Sequence, residues 1–217
     1  MYKKGDFMQK TIKQNTAAEI VEKKSKFIAN LFYVQNEEEA EEIIKSIKKK
    51  YYDARHNCYA YNVLTKKGIV ARSSDDGEPS GTAGMPMLNI LQKNELINVL
   101  VVVTRYFGGI LLGTGGLVRA YSEALVKAIE NAEFVKEELG YEVKVTIDYS
   151  EQEKLEYYCN QRNLNIIEFQ YTDQINCIIE MNKKEKEEFI NNLNKMNYKI
   201  EKYEIKKEKN IRKNIEI

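Results

Sequence analysis

The stretch that decides the fold, residues 73–121, begins with SSDDGEPSGTAG (residues 73–84) and ends with TRYFGGILLGTGGLVRAY (residues 104–121). Eight of the eleven glycines of the chain lie in this stretch. Between the two glycine-rich segments, residues 97–103 are almost wholly apolar and β-branched, which predicts a strand covered on both faces. Because glycine allows positive φ and close backbone approach, and polar side chains alternate with it here, we interpret both segments as loops of a functional site.

The composition is that of an ordinary globular protein. Of the 217 residues, 43% are hydrophobic, enough for the core of one large or two small domains. The net charge of +1 gives no global argument for binding to nucleic acid or membranes. The charge is uneven, since residues 183–217 hold 11 Lys and Arg against 7 Asp and Glu. We therefore expect a basic tail at the end of the chain.

From the sequence we expect no signal peptide, no membrane span and no disulfide bond. The N-terminus lacks the apolar core of a signal peptide, and no apolar run approaches the roughly 18 residues that a membrane span requires. Cys58, Cys159 and Cys177 are odd in number and have no Cys-x-x-Cys spacing, which indicates reduced, buried thiols. We expect a cytoplasmic protein with no membrane partner, no cofactor and no readout of DNA sequence.

The first half of the chain alternates between strand and helix patterns. Asn36 followed by three glutamates is typical of a capped helix N-terminus, and Lys48–Lys50 suit its other end. Pro86 suits the first turn of a short helix. The predicted elements are two strands in residues 16–34 broken at 22–25, a helix from Asn36 to 50, strands at 53–64 and 69–73, a helix from Pro86 to 93, a strand at 97–106 and a helix at 116–131.

The second half has a βαββαβ pattern, which is the ferredoxin-like arrangement. Its strands are predicted at residues 141–148, 164–171, 175–181 and 198–205. Its helices open with the capping boxes Ser150-x-x-Glu153 and Asn182-x-x-Glu185. The sequence therefore predicts an α+β protein with two domains joined near the charged residues 133–140. The predicted divisions are residues 1–137 for the first domain, 138–206 for the ferredoxin-like domain and 207–217 for the basic tail.

The glycines of residues 108–116 precede a helix, an arrangement in which free backbone N–H groups favour an anion. Arg119 is predicted in the first turn of that helix, where a cation opposes the helix dipole by about 0.3 to 1 kcal/mol, and a bound anion would offset this cost. A tight turn packed against the sheet explains the glycines equally well, and pairing with Glu123 explains Arg119. The segment matches neither the P-loop nor the dinucleotide fingerprint.

Three carboxylates, those of Asp75, Asp76 and Glu78, crowd into four residues. Holding them together needs a hard cation such as Mg²⁺ or positively charged neighbours, for which Arg55, Arg72 and Arg105 are candidates. An exposed acidic turn is the commoner explanation for Asp-Asp-Gly, so we predict no metal site. Aromatic residues near the arginines form the mixture that stacks bases and binds phosphates of single-stranded RNA. These aromatics are Tyr59, Tyr61, Tyr106, Phe107 and Tyr121.

Three long motifs closely resemble those of the YigZ/IMPACT family. They are DARHNCYAY (residues 53–61), DDGEPSGTAG (residues 75–84) and VTRYFGGILLGTGGLVRAY (residues 103–121). The resemblance implies a first domain like the second domain of ribosomal protein uS5 and a ferredoxin-like second domain like domain V of elongation factor G. Eukaryotic relatives in this family carry an extra N-terminal domain and regulate translation initiation under stress.

These observations favour a translation-linked regulator that binds RNA, the ribosome or a phosphate-containing ligand such as a nucleotide. The alternative is a phosphate-handling, Mg²⁺-dependent hydrolase that uses the loops at residues 75–84 and 108–119, so whether the protein is an enzyme stays open. The predicted ligand-binding residues are Arg55, Asp75, Asp76, Glu78, Ser80, Thr82, Arg105, Tyr106, Gly108, Gly109, Gly113, Thr114, Gly115, Gly116, Arg119 and Tyr121.

Overall fold

The computed structural model describes residues 9–65, 67–193 and 200–214. The chain divides into two compact units, of which the second comprises Glu137–Lys213 and the first comprises the rest, including Asn214. Both units combine helices with antiparallel strands, so the fold is of the α+β class, as predicted. No helix in the described ranges is long and apolar enough to cross a membrane.

The described residues of the first unit form six strands and three helices. They are β1 (Gln9–Ile12), β2 (Thr16–Glu22), β3 (Ser25–Tyr33), α1 (Glu37–Lys50), β4 (His56–Thr65), β5 (Gly68–Ser74), α2 (Gly84–Lys93), β6 (Val99–Tyr106) and α3 (Gly113–Glu130). Five strands form an antiparallel sheet in the order β2-β3-β6-β4-β5. The predicted likeness of this unit to ribosomal protein uS5 stays a prediction.

Strand β6 lies in the middle of this sheet and is buried on both faces, as its sequence predicts. Val101 and Val103 belong to the core cluster that contains the buried residues of α2 and α3. Leu100 and Val102 belong to the cluster on the other face, which contains the buried residues of α1. The strand begins at Val99 rather than at residue 97, because Asn98 has a φ of 53°, which strand backbone does not adopt.

The remaining strand and helix starts in the first unit follow local signals. The Asn36 side chain accepts a hydrogen bond from the Glu39 N–H at 2.8 Å, which confirms the predicted cap of α1. Strand β4 begins at His56, three residues later than predicted, because the Ala54 N–H donates to the Tyr51 carbonyl and closes a turn there. Arg55 therefore lies just before the strand rather than in it.

The β2–β3 hairpin confirms the predicted break at residues 22–25. Glu22 pairs with Ser25, so the turn consists of Lys23 and Lys24 alone. Their φ angles are 44° and 64°. Two-residue hairpin turns with positive φ at both central positions strongly prefer Asn-Gly or Gly-Gly, so two lysines in this turn depart from the usual chemistry.

Helix α3 begins at Gly113, three residues before the predicted start. Glycine has a helix propensity about 1 kcal/mol below that of alanine, which is why the sequence predicts a loop here. The N–H groups of a first helical turn have no intrahelical partner, and the buried side chains of Leu117 and Tyr121 fix the helix against the core. Arg119 consequently lies in the second turn and not in the first, which corrects the prediction.

Where the structure describes it, the second unit holds two helices and all or most of four strands, in the predicted βαββαβ order. They are β7 (Phe134–Ile147), α4 (Gln152–Gln161), β8 (Asn165–Tyr171), β9 (Ile175–Asn182), α5 (Lys183–Leu193) and β10 (Ile200–Asn214). The strand order β10-β7-β9-β8 is that of a ferredoxin-like fold. Its core includes Val145, Cys159, Cys177 and Phe189, and both cysteines are free and buried, as predicted.

Two boundaries of the second unit differ from the prediction. Strand β7 begins at Phe134 rather than at residue 141, so the charged segment 133–140 is mostly strand. Strand β10 continues to Asn214, so residues 207–214 of the predicted basic tail belong to the sheet. Glu142 pairs with Lys207 at 3.3 Å and Lys209 at 2.9 Å, which explains how so basic a strand is accommodated. The predicted start of this strand at residue 198 lies outside the described residues.

Of the two predicted capping boxes, one is present. The Asn182 side chain accepts from the Glu185 N–H, and the Glu185 carboxylate accepts from the Asn182 N–H, both at 2.8 Å. The Ser150 box is wrong, because a 3₁₀ turn over Tyr149–Glu151 precedes α4, which begins at Gln152 without a side-chain cap.

Ser150 and Asn182 give a matched test of these assignments. Replacing Asn182 by alanine removes a cap, and we expect the free energy of unfolding to fall by about 1 kcal/mol. Replacing Ser150 by alanine removes no cap, and we expect a change within about 0.5 kcal/mol. Urea titration followed by circular dichroism measures both, and equal losses in the two variants would contradict the assignment.

Candidate functional site

Two loops meet where β6 ends. The acidic loop, residues 75–83, connects β5 to α2, and the glycine loop, residues 107–112, connects β6 to α3. The predicted site residues belong to these two loops and the elements that flank them, except Arg55, which precedes β4. Some residues of the set hold the loops in place, and others face solvent.

Asp75 caps helix α2. One of its carboxylate oxygens accepts from the N–H groups of Ala83 at 2.9 Å and Gly84 at 2.8 Å, and the other accepts from Gly81 N–H at 2.8 Å. Burial by itself would raise the pKa of Asp75, but the three N–H donors hold that pKa below its ordinary value. Asp75 therefore closes the acidic loop and fills the N-terminus of α2.

Asp76 fastens the same loop to β4 and α1. Its carboxylate accepts from the Asn57 N–H at 2.7 Å and from Lys48 Nζ at 2.5 Å. Its carbonyl oxygen lies 2.9 Å from His56 Nδ1. The single histidine of the chain thus contacts the backbone of the acidic loop.

Glu78 and Arg105 form a buried ion pair. Arg105 Nη1 donates to Glu78 Oε1 at 2.6 Å, and the two side chains are only 7% and 3% exposed. The hydroxyl of Tyr121, on α3, donates to the same carboxylate oxygen at 2.9 Å. Burial raises the pKa of the Tyr121 hydroxyl, and the neighbouring thiol and carboxylate raise it further, so Tyr121 stays a neutral donor. This trio ties the acidic loop to β6 and α3.

Two further residues complete the buried cluster. Cys58 Sγ lies 2.9 Å from the Asp75 carbonyl and 3.3 Å from the Tyr121 hydroxyl oxygen, and burial raises the pKa of this thiol to about 12. Arg105 Nη2 donates to Ser25 Oγ at 3.5 Å. The Arg105 guanidinium also lies 5.6 Å from the ring of Phe107. Its Nε has no hydrogen-bond partner among the described residues.

The three acidic side chains therefore have separate partners. Asp75 binds backbone N–H groups, Asp76 binds Lys48 and the backbone of β4, and Glu78 binds Arg105. Of the positively charged neighbours predicted for them, Arg105 is present beside Glu78. Arg72 instead pairs with Glu37 at 3.0 Å. Arg55 is exposed and makes no ion pair with the three carboxylates in the described part of the chain. The described part of the chain holds no group of three His, Cys, Asp or Glu side chains arranged for a metal ion.

The hydroxyl residues of the acidic loop differ in role. Thr82 is buried, and its hydroxyl donates to the Pro79 carbonyl at 2.6 Å, so it stabilises the loop. Ser80 is exposed. Tyr106 donates its hydroxyl to Asp53 at 2.8 Å, and this hydrogen bond is the main reason that its pKa is raised. Sequence reasoning missed Ser25 and Asp53, because their partners Arg105 and Tyr106 lie 80 and 53 residues away in sequence.

Gly108 is required by a close approach of two backbones. A Cβ at this position would lie 2.0 Å from the carbonyl carbon and oxygen of Lys24, and the Gly108 N–H donates to Ser25 Oγ at 3.2 Å. The glycine loop therefore packs directly on the β2–β3 turn. This confirms a tight, packed segment at residue 108, which was one of the two readings of these glycines.

The N-terminus of α3 is open to solvent. Gly113, Thr114 and Gly115 are exposed, as is Gly109 in the preceding loop, while Gly116 is half-buried. No described side chain caps the helix, and its first turn holds no acidic residue. Arg119 is exposed, and its Nη1 lies 3.9 Å from the position of a Cβ on Gly115. The guanidinium thus lies over the first turn even though the residue belongs to the second.

The solvent-facing part of the site is apolar as well as basic. Phe107 is 54% exposed and Leu111 is 82% exposed, and Ile110 is also exposed. The other aromatics predicted to contact a ligand are less available, because Tyr61 and Tyr121 are fully buried and Tyr59 is stacked on Tyr61. The glycine loop is therefore the part of the site with accessible apolar side chains.

Two family models match the chain. One, described as the Impact N-terminal domain, matches residues 23–129, and the other, described as a domain of unknown function (DUF1949), matches residues 145–196. IMPACT family member YvyE of Bacillus subtilis (strain 168) is 41% identical over 165 residues, which are 76% of either protein. The predicted family resemblance is thereby confirmed.

Solved structures also resemble the chain. A crystal structure described as that of a hypothetical protein has a TM-score of 0.62 and 30% identity, and it covers 86% of this chain and 91% of its own. Yih1, described as a two-domain translational regulator, has a TM-score of 0.33 and 25% identity, and covers 57% of this chain and 48% of its own. That description belongs to Yih1, whose TM-score is too low to establish a shared arrangement.

The Asp75 cap predicts a pH-dependent loss in one variant. We expect Asp75→Asn to lower the free energy of unfolding by about 2 kcal/mol at pH 7, because a charged acceptor for three N–H groups is lost. Since the folded pKa is lowered, this stabilisation is complete above the unfolded pKa of about 3.9 and disappears as pH falls through the folded pKa. Denaturant titrations from pH 7 to pH 3 measure it, and a difference independent of pH would contradict the role.

The buried ion pair predicts a larger effect. Glu78→Ala leaves the Arg105 charge buried and unpaired, and we expect a loss of about 3 to 5 kcal/mol in the free energy of unfolding. The double variant Glu78→Leu/Arg105→Met removes both charges and should be less destabilised than Glu78→Ala. Glu130→Ala breaks the exposed pair with Lys127 and should change stability by less than about 1 kcal/mol. A lower stability of Glu78→Leu/Arg105→Met than of Glu78→Ala would contradict this account.

Proposed function

The chain belongs to the IMPACT family, and on that premise we propose that it is a translation-linked regulator that binds RNA through its first unit. The N-terminus of α3 and Arg119 hold a phosphate group of the RNA. The exposed glycine loop contacts the adjoining bases. A cytoplasmic location and the ribosome as a partner accompany this proposal as predictions.

The observation that carries the proposal is the contrast between two helix N-termini. The N–H groups of a first helical turn need acceptors, and the helix dipole favours negative charge there. At α2 the protein supplies its own carboxylate, that of Asp75. At α3 the described residues supply no cap, and the Arg119 guanidinium lies over the first turn instead. This end of α3 suits an external anion, for which phosphate is the common biological choice.

The surroundings favour RNA over a free phosphate ion. Phe107 and Leu111 expose apolar surface on the loop that leads directly into α3. An aromatic face beside a cation stacks a base while the cation binds the backbone, which is the usual mode for single-stranded RNA. Arg55, exposed before β4, adds a second cation at the end of the sheet where Tyr106 lies.

The Mg²⁺-dependent hydrolase has less support. A hydrolase of this kind needs carboxylates that are free to bind the metal ion. Asp75, Asp76 and Glu78 instead accept hydrogen bonds or ion pairs from protein groups. The acidic loop is better explained as the support of the site than as its reactive part.

Fluorescence anisotropy against single-stranded fragments of ribosomal RNA at several salt concentrations tests the proposal. Arg119→Ala should weaken binding and reduce the salt slope by about 0.7, the contribution of one phosphate on a single strand. Lys127→Ala removes one positive charge from the other end of the same helix and should bind as the wild type does. Phe107→Ala should lower affinity and leave the slope unchanged, because stacking releases no counterions.

Two outcomes would contradict the proposal. One is the absence of binding by the wild type even at low salt. The other is equal affinity and equal salt slope in the wild type and Arg119→Ala.

A further inference from the structure

The β2–β3 turn holds two lysines in a conformation that lysine disfavours. Lys23 and Lys24 have φ angles of 44° and 64°, in the left-handed region where a side chain crowds the backbone. A two-residue hairpin turn of this kind is normally built from Asn-Gly. Strain of this type persists where the surrounding structure enforces it, and an observed outlier is a reason to look for function.

The surrounding structure does enforce this turn. Gly108 lies so close to the turn that a Cβ on it would be 2.0 Å from the Lys24 carbonyl. Ser25, next to the turn, accepts hydrogen bonds on its Oγ from the Gly108 N–H and from Arg105 Nη2. The backbone of the turn is therefore held against the backbone of the glycine loop. Its two side chains remain outside this contact.

The charges of both lysines are available. Lys23 and Lys24 are exposed, and neither makes an ion pair within the described ranges. Lys26, two residues further on, pairs with Glu19 at 2.7 Å and has no such freedom. The turn thus presents two adjacent unpaired cations on the backbone that supports the glycine loop.

We propose that the Lys23–Lys24 turn is a second phosphate-binding element and that the ligand is an RNA strand of several nucleotides that spans from this turn to the N-terminus of α3. This rests on the proposed RNA-binding function and adds a ligand length and two contacting residues to it. On this proposal a free phosphate ion or a mononucleotide binds at one of the two elements, and a longer strand binds at both.

Chain geometry sets the span. Gly108 packs on the turn, and α3 begins five residues later at Gly113. Five extended residues cover at most roughly 17 Å. A strand of nucleic acid advances about 3.4 Å per nucleotide along its axis. The two elements are therefore bridged by about five nucleotides or fewer.

The test exchanges the two lysines for the residues that the turn prefers. Lys23→Asn/Lys24→Gly removes two charges while it relieves the left-handed strain, so its thermal midpoint should equal or exceed that of the wild type. Its affinity for a ten-nucleotide single-stranded RNA at low salt should fall at least tenfold, and its salt slope should fall by about 1.4 for two phosphates. Lys45→Gln/Lys49→Gln removes two exposed charges from α1 and should leave both values unchanged.

A length series of one, two, three, five and ten nucleotides completes the test. For the wild type, affinity should rise up to about five nucleotides, and the loss caused by Lys23→Asn/Lys24→Gly should appear only for the longer strands. If the wild type binds one nucleotide as tightly as five, the proposal that one strand spans both elements is overturned. An equal loss for a mononucleotide and a ten-nucleotide strand would overturn it as well.

The binding results distinguish a failure of this inference from a failure of the proposed function. If the wild type binds RNA and Arg119→Ala weakens binding, while Lys23→Asn/Lys24→Gly binds as the wild type does, the turn is not a contact and the proposed function stands. If the wild type binds no RNA at low salt, both are overturned. A double variant with a lower thermal midpoint overturns the interpretation of the turn as strained.

Discussion

The buried ion pair between Glu78 and Arg105 is the interaction on which the rest of the site depends. Removing two charges from water is costly, and a buried pair is tolerable only when further polar partners complete it. Here Tyr121 and Ser25 supply those partners, and they come from α3 and β3. The pair therefore holds the acidic loop, β6, α3 and the β2–β3 hairpin in one arrangement. The positions of the exposed site residues depend on that arrangement.

Local signals in the sequence predicted most elements of the fold. The Asn36 cap, the two buried faces of β6 and the Asn182 box depend on neighbours a few residues apart, and the structure confirms them. Other features depend on partners far away in sequence. The cap of α2 comes from Asp75, which lies eight residues before Ala83 and nine before Gly84. Ser25 and Asp53 reach the site through contacts with Arg105 and Tyr106, which are 80 and 53 residues away in sequence. The start of α3 was missed because its packing outweighs the low helix propensity of three glycines.

The predicted site residues divide into an inner and an outer group. Asp75, Glu78 and Arg105 face the protein and hold the loops, although their residue types resemble those of a catalytic centre. Thr114 and Arg119 face solvent, where a ligand can reach them. Polar residues between two glycine-rich segments indicate a site in either case, so sequence alone does not separate the two groups. Burial in the structure separates the two groups, and it shows that the acidic residues support the loops.

The three buried cysteines give each unit its own reporter of local opening. Burial raises the pKa of Cys58, in the first unit, and of Cys159 and Cys177, in the second, to about 12. With such a raised pKa very little of each thiol is ionised at neutral pH, and the thiolate is the form that reacts with alkylating reagents. Labelling of a thiol in the native protein therefore proceeds through an open state, and the identity of the labelled cysteine tells which unit has opened.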